Sequence, residues 1–84
     1  MSTCDLIKNI LDKTFQPTQL QVRDDRDEHL GHAHQDSGHF TVIIQATAFN
    51  GKNAIERHRM VYDALSSLLQ THIHALRIQA SGND

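Results

Sequence analysis

The stretch that most limits what this chain can become is FNGKNAIERHRMVYDALSSLLQTHIHALRI, residues 49–78: a turn, a long amphipathic helix and a short strand in unbroken succession. Gly51 supplies the turn. Asn53 is the expected N-cap, its side-chain oxygen accepting from a first-turn amide while Glu56, three residues on, reaches back to complete a capping box. From there Ala54, Ile55, Val61, Tyr62, Leu65, Leu68 and Leu69 recur at three- and four-residue spacings and make an apolar stripe about 140° wide, as a helix lying on a sheet requires. His58 falls inside that stripe as an expected core side chain, Arg57 and Arg59 flank it, and Glu56, Met60, Asp63 and Ser67 point away. The pattern lapses at Gln70-Thr71-His72, after which Ile73 to Gln79 alternate and put His74, Leu76 and Ile78 on one face of a strand.

Before this unit, Ser2 or Thr3 caps a first helix whose buried face is Leu6, Ile7, Ile10, Leu11 and Thr14 and which ends near Phe15, because Pro17 prevents continuation. Leu20 and Val22 alternate with Gln21 and Arg23 in a short edge strand over Gln19 to Asp24. Asp25 to Gly38, DRDEHLGHAHQDSG, is a polar loop, long for so small a domain and therefore a candidate for binding. His39 to Ala46 alternates most clearly, with Phe40, Val42, Ile44 and Ala46 inward and His39, Thr41, Ile43 and Gln45 outward. The first two strands pair antiparallel across the loop, and a right-handed crossover through the helix from Ala54 to Leu69 makes the third parallel to the second. The expected architecture is α+β, helix-strand-strand-helix-strand, with a three-stranded mixed sheet, both helices on one face and the other face open to water. Ser81 to Asp84 are expected to fray.

A chain of 84 residues makes one domain, 1–84, because two cores of useful size do not fit. Its net charge of −2 with histidines neutral argues against binding nucleic acid by whole-molecule charge, leaving only a local basic edge from Lys52, Arg57, Arg59 and Arg77. The one cysteine, Cys4, excludes an internal disulfide and fits a reducing compartment. No apolar run is long enough to span a membrane, and the opening residues lack the basic-then-apolar order of a signal peptide. A soluble, cytoplasmic protein is expected.

Histidine is the unusual component: seven are present, and His29, His32, His34 and His39 fall within eleven positions. His74 stands at a strand end, where an accessible ligand can be held on a rigid base. Together with one histidine swung over from the loop it gives two imidazoles and no third or fourth protein ligand, so a metal there needs another molecule to complete its coordination. That pattern points to a site shared across an interface. Catalysis finds no support, since the chain has no Gly-rich phosphate loop, nucleophile elbow, paired helical carboxylates or Cys/His arrangement. A nonenzymatic protein is expected.

Phe49 to Lys52 (F-N-G-K), Arg57 to Tyr62 (R-H-R-M-V-Y) and Ile73 to Leu76 (I-H-A-L), in register at this spacing, resemble the BolA family, and the order of elements agrees over nearly the whole chain. The resemblance implies a type II KH-like BolA fold, here without the GXXG loop that clamps RNA in true KH domains. It implies first a partner of monothiol glutaredoxins in iron-sulfur and iron homeostasis and stress response. Their heterodimer holds a 2Fe-2S cluster between the glutaredoxin cysteine with glutathione on one side and BolA residues on the other. His74 corresponds to the family histidine of I-H-A-L, and His32, in Gly31-His32-Ala33, to the loop ligand, with His34 as its competitor. Imidazole ligation suits such a cluster. The second implied role is a DNA-binding, stress-responsive transcriptional regulator affecting cell morphology, touching DNA through Lys52, Arg57 and Arg59. The isolated protein is expected to be a monomer or weak dimer without bound cluster.

Overall fold

The caps and breakers in the sequence set where the elements begin and end. The computed structural model describes residues 2–25 and 38–84. Helix α1 (Thr3–Phe15) starts at Ser2, whose hydroxyl accepts from the Asp5 N–H at 3.2 Å while the Asp5 carboxylate accepts from the Ser2 N–H at 3.4 Å. The helix stops at Gln16, whose φ of +50° turns the chain just ahead of Pro17. Ile7 and Leu11 are fully buried, with Leu6 and Ile10 packed beside them. Thr14, expected on that face, is exposed, and Thr3 is buried.

Strands β1 (Gln19–Asp24) and β2 (His39–Gln45) pair antiparallel, with Val22 opposite Val42. Strand β3 (Ala75–Ser81) runs parallel to β2, with Ile78 opposite Val42, and the sheet order is β1-β2-β3. Phe40, Val42, Ile44 and Ala46 form one core with Ile7 and Leu11 of the first helix and with Val61, Leu65 and Leu68, so the helices share one face of the sheet. The opposite face carries the exposed Gln21, Arg23, Arg77 and Gln79. Thr41 departs from the expected outward pattern and is buried, its hydroxyl donating to the Asp25 carboxylate.

After a 3-10 turn at Thr47–Phe49 and the glycine turn at Gly51 (φ +72°), helix α2 (Ala54–Ala64) opens with the expected capping box. The Glu56 N–H donates to Asn53 Oδ1 at 2.8 Å, and the Asn53 N–H to Glu56 Oε1 at 3.0 Å. Asn53→Ala is expected to cost about 1 kcal/mol, read as a lower urea midpoint with an unchanged m-value. The single helix predicted to reach Leu69 is divided at Leu65, and Ser66–Leu69 forms a short α3. A serine pair at 66 and 67 is a common place for such a bend, and the bend keeps both Leu65 and Leu68 in the core.

The predicted stripe is also rotated. The side chains facing the core are Met60, Val61, Ala64, Leu65 and Leu68, with Arg57 half-buried beside them, whereas Ala54, Ile55 and His58 are exposed. At about 100° per residue the buried face is displaced by nearly a quarter turn from the one expected. Arg57 lies on this side and is half-buried, its Nε donating to the Phe49 carbonyl at 3.1 Å. The residues after β3 do not fray. Asn83 is held by Asn50 Oδ1, Thr47 Oγ1 and Thr18 Oγ1 at 2.6–3.1 Å, and the Asp84 carboxylate accepts from the Gly51 N–H at 3.1 Å.

Candidate functional site

His74 lies immediately before β3 and is exposed, so it does not continue the face of Leu76 and Ile78 as the alternation suggested. Two backbone bonds fix it. Its own N–H and that of Ala75 both donate to the Gly38 carbonyl, at 2.7 and 3.0 Å. Gly38 is buried, has a φ of +80°, and lies so close to the imidazole that a Cβ there would come within 2.3 Å of His74 Cδ2. The ring therefore rests on a bare α-carbon, a seat only glycine can provide.

The sequence pointed to His32 or His34 as a second ligand, and both, like His29, lie outside the described residues. Asp25 N–H donates to the His39 carbonyl at 2.8 Å, and Gly38 holds His74, so the chain leaves and re-enters the sheet at the end where His74 sits. Among the described residues no group of three or more His, Cys, Asp or Glu side chains could hold a metal ion.

His39, at the start of β2, lies opposite Ala75, the residue after His74, whereas His58 lies on α2 and His72 in the turn before β3. His58, expected in the core, is exposed on α2 and touches the Tyr62 ring, with centroids 4.9 Å apart. The rotation of the buried stripe is the cause. His58→Ala is accordingly expected to change stability by no more than about 0.5 kcal/mol in chemical unfolding. His72 is exposed, with Nδ1 2.6 Å from Thr71 Oγ1. Of the basic residues, Lys52 and Arg59 are exposed, while Arg57 is half-buried through its bond to Phe49. Gly38 was missed in the sequence as part of the site. A glycine one residue before a strand, closing a polar loop, was the signal available for a positive φ.

The mixed three-stranded sheet, the one-sided helices and the histidine at the mouth of the parallel pair define a small α+β domain of the BolA type. It superimposes on the solved BolA domain of SufE1 from Arabidopsis thaliana with a TM-score of 0.86 at 36% identity, covering 99% of this chain and 94% of that one. A model of the BolA-like protein family matches residues 11–84, and the chain belongs to that family.

Its relatives carry more than one description. It is 40% identical over 81 residues to SufE-like protein 1, chloroplastic/mitochondrial, of Arabidopsis thaliana, covering 88% of this chain and 22% of that protein. The chain thus spans about a fifth of that relative's length. It is 38% identical over 72 residues to the DNA-binding transcriptional regulator BolA of Escherichia coli (strain K12), covering 86% of this chain and 68% of that one. Among the described residues no helix is long and apolar enough to cross a membrane.

Proposed function

We propose that this chain is a nonenzymatic adaptor that binds a monothiol glutaredoxin and supplies part of the ligand set for a bridging 2Fe-2S cluster, completed by the glutaredoxin cysteine and glutathione, in iron-sulfur and iron homeostasis and stress response. The observation that carries the reading is the exposed His74 imidazole on its glycine seat, a fixed donor held against the residue that ends a histidine-rich stretch of sequence. The donor set fits half of a shared site: one described imidazole, with His32 or His34 as the second, is too few for a metal held by this chain alone. Imidazole nitrogens suit iron in a 2Fe-2S cluster and raise its potential relative to all-thiolate ligation. His74 presents its nitrogen from a rigid strand end, and the backbone bonds to Gly38 keep that position without help from the partner. Calorimetric titration of the cluster-free chain with a monothiol glutaredoxin tests the partnership. Saturable one-to-one binding supports it, and no heat or complex at any accessible concentration removes it.

A second reading has its own support, the name of the Escherichia coli relative as a DNA-binding transcriptional regulator. On this chain Lys52, just before α2, and Arg59, midway along it, are exposed cations. Direct DNA binding predicts that Lys52→Ala and Arg59→Ala each weaken affinity and reduce the log-affinity against log-salt slope by about one. Arg57→Ala would instead act mainly through stability, because its guanidinium is engaged with Phe49. A DNA affinity insensitive to Lys52 and Arg59 would count against this surface.

A further inference from the structure

We propose that Asn50-Gly51 is a self-modification site, an asparagine amide that converts to aspartate or isoaspartate without an enzyme, and that the residues after β3 latch it shut. The pair stands in the turn between the 3-10 segment and α2, with Asn50 half-buried and Gly51 exposed. Glycine opens this chemistry, because without a Cβ its backbone nitrogen can closely approach the preceding side chain. A Cβ at Gly51 would meet nothing within 4 Å, so the site is open to solvent.

In the reaction the Gly51 nitrogen gives up its proton and attacks Asn50 Cγ. The new N–Cγ bond closes a cyclic imide, the Cγ–Nδ2 bond breaks, and the amide nitrogen leaves with that proton as ammonia. Water then opens the ring, at Cγ to give aspartate or at the main-chain carbonyl to give isoaspartate. Closure needs the Cα–C bond of Asn50 turned until the Gly51 nitrogen stands beside Cβ. At the observed ψ of 135° it stands well away.

Two bonds hold it there. The Asn83 N–H donates to Asn50 Oδ1 at 2.6 Å, and the Gly51 N–H donates to the Asp84 carboxylate at 3.1 Å, so the attacked amide and the attacking nitrogen are tied to adjacent residues. Asn83 is fastened in turn by Thr18 and Thr47, and the Gly82 carbonyl accepts from Gln45. Modification undoes this latch. Asn50 Oδ1 and Asp84 Oδ1 both lie against Gly82, 2.5 and 2.7 Å from where a Cβ would stand. A carboxylate in place of the amide sets two negative charges against each other there and drives Asp84 off Gly51. The turn lies at the opposite end of β2 and β3 from His74, and the proposal stands independently of the glutaredoxin reading.

Ageing the full chain in mildly alkaline buffer tests it, with tryptic mapping and isoaspartate detection. Asn50 is the one asparagine in the tryptic peptide 27–52, where fragmentation locates the mass gained by exchanging NH for O. The folded chain is expected to modify at Asn50 about tenfold or more slowly than the same chain unfolded in guanidinium chloride. Asp84→Ala removes the acceptor for Gly51, and Gly82→Ala pushes the Asn50 side chain aside. Each is expected to speed modification of the folded chain about fivefold, with an unchanged circular dichroism spectrum. A folded chain that modifies as fast as the unfolded one overturns the latch, as do variants that age no faster than the native chain. An Asn50 that stays intact in guanidinium chloride overturns the site itself.

Discussion

On the proposed adaptor reading, His74→Ala is expected to abolish the contribution of this chain to the cluster while leaving its fold intact. The side chain is exposed, so truncating it should move the unfolding free energy by no more than about 0.5 kcal/mol. Its backbone bonds to Gly38 survive any substitution that keeps an N–H. The ligand effect is of another order. Even removal of a group that merely orients a metal ligand costs about 10- to 100-fold in affinity, and loss of the ligand itself should cost at least as much. Visible circular dichroism of the glutaredoxin mixture should therefore revert to that of glutaredoxin without this chain. His74→Cys is the informative partner variant, because a thiolate can replace the imidazole and should recover a cluster with an altered spectrum. Unchanged spectra in His74→Ala would remove this residue from the site.

Gly38→Ala should be the most damaging single-methyl substitution near the site. Two costs combine. A non-glycine residue at a φ of +80° is disfavoured by about 1–2 kcal/mol, and the new Cβ would sit 2.3 Å from His74 Cδ2, so the imidazole must leave its seat. We expect a total loss of about 2–3 kcal/mol in urea unfolding, together with an altered cluster spectrum although every ligand is still present. Gly51→Ala separates the two effects. It has a similar φ of +72° but nothing within 4 Å of an added Cβ, so it should lose only about 1–2 kcal/mol and leave the spectrum alone. If Gly38→Ala changed stability and spectrum no more than Gly51→Ala does, the seat would have no role in holding the ligand.

The framework of the fold was legible in the sequence because each part carried its own local signal. Strict alternation over His39 to Ala46 put Phe40, Val42, Ile44 and Ala46 into the core, and Asn53 with Glu56 marked where α2 begins. The parallel pairing followed from the handedness of the crossover. What periodicity could not resolve was which edge of a broad stripe faces inward. Ile55, His58 and Tyr62 continue the apolar stripe, but Arg57 is half-buried with its Nε spent on the Phe49 carbonyl. A charged residue that buries its alkyl chain looks polar to any pattern. The division at Leu65 and the anchoring of Asn83 and Asp84 were hidden for a related reason, since both depend on partners distant in sequence: the sheet core for one, Thr18, Thr47, Asn50 and Gly51 for the other.

The site was legible at one residue. His74 stood out by its position at a strand end, and the structure adds what the sequence did not offer, that the residue stacked against it is Gly38, thirty-six positions earlier. Contact across a parallel strand pair leaves no trace in spacing. Its cause is that β2 and β3 begin side by side, with His39 opposite Ala75, so the residues just before each strand must meet.

The most direct test of the adaptor account is anaerobic reconstitution of this chain with a monothiol glutaredoxin, glutathione, iron and sulfide, followed by size-exclusion chromatography with visible circular dichroism on the eluted peaks. The account predicts a coloured heterodimer whose spectrum differs from that of the glutaredoxin homodimer and is lost in His74→Ala. A coloured homodimer eluting apart from this chain, with no heterodimer formed with or without cluster, would contradict it.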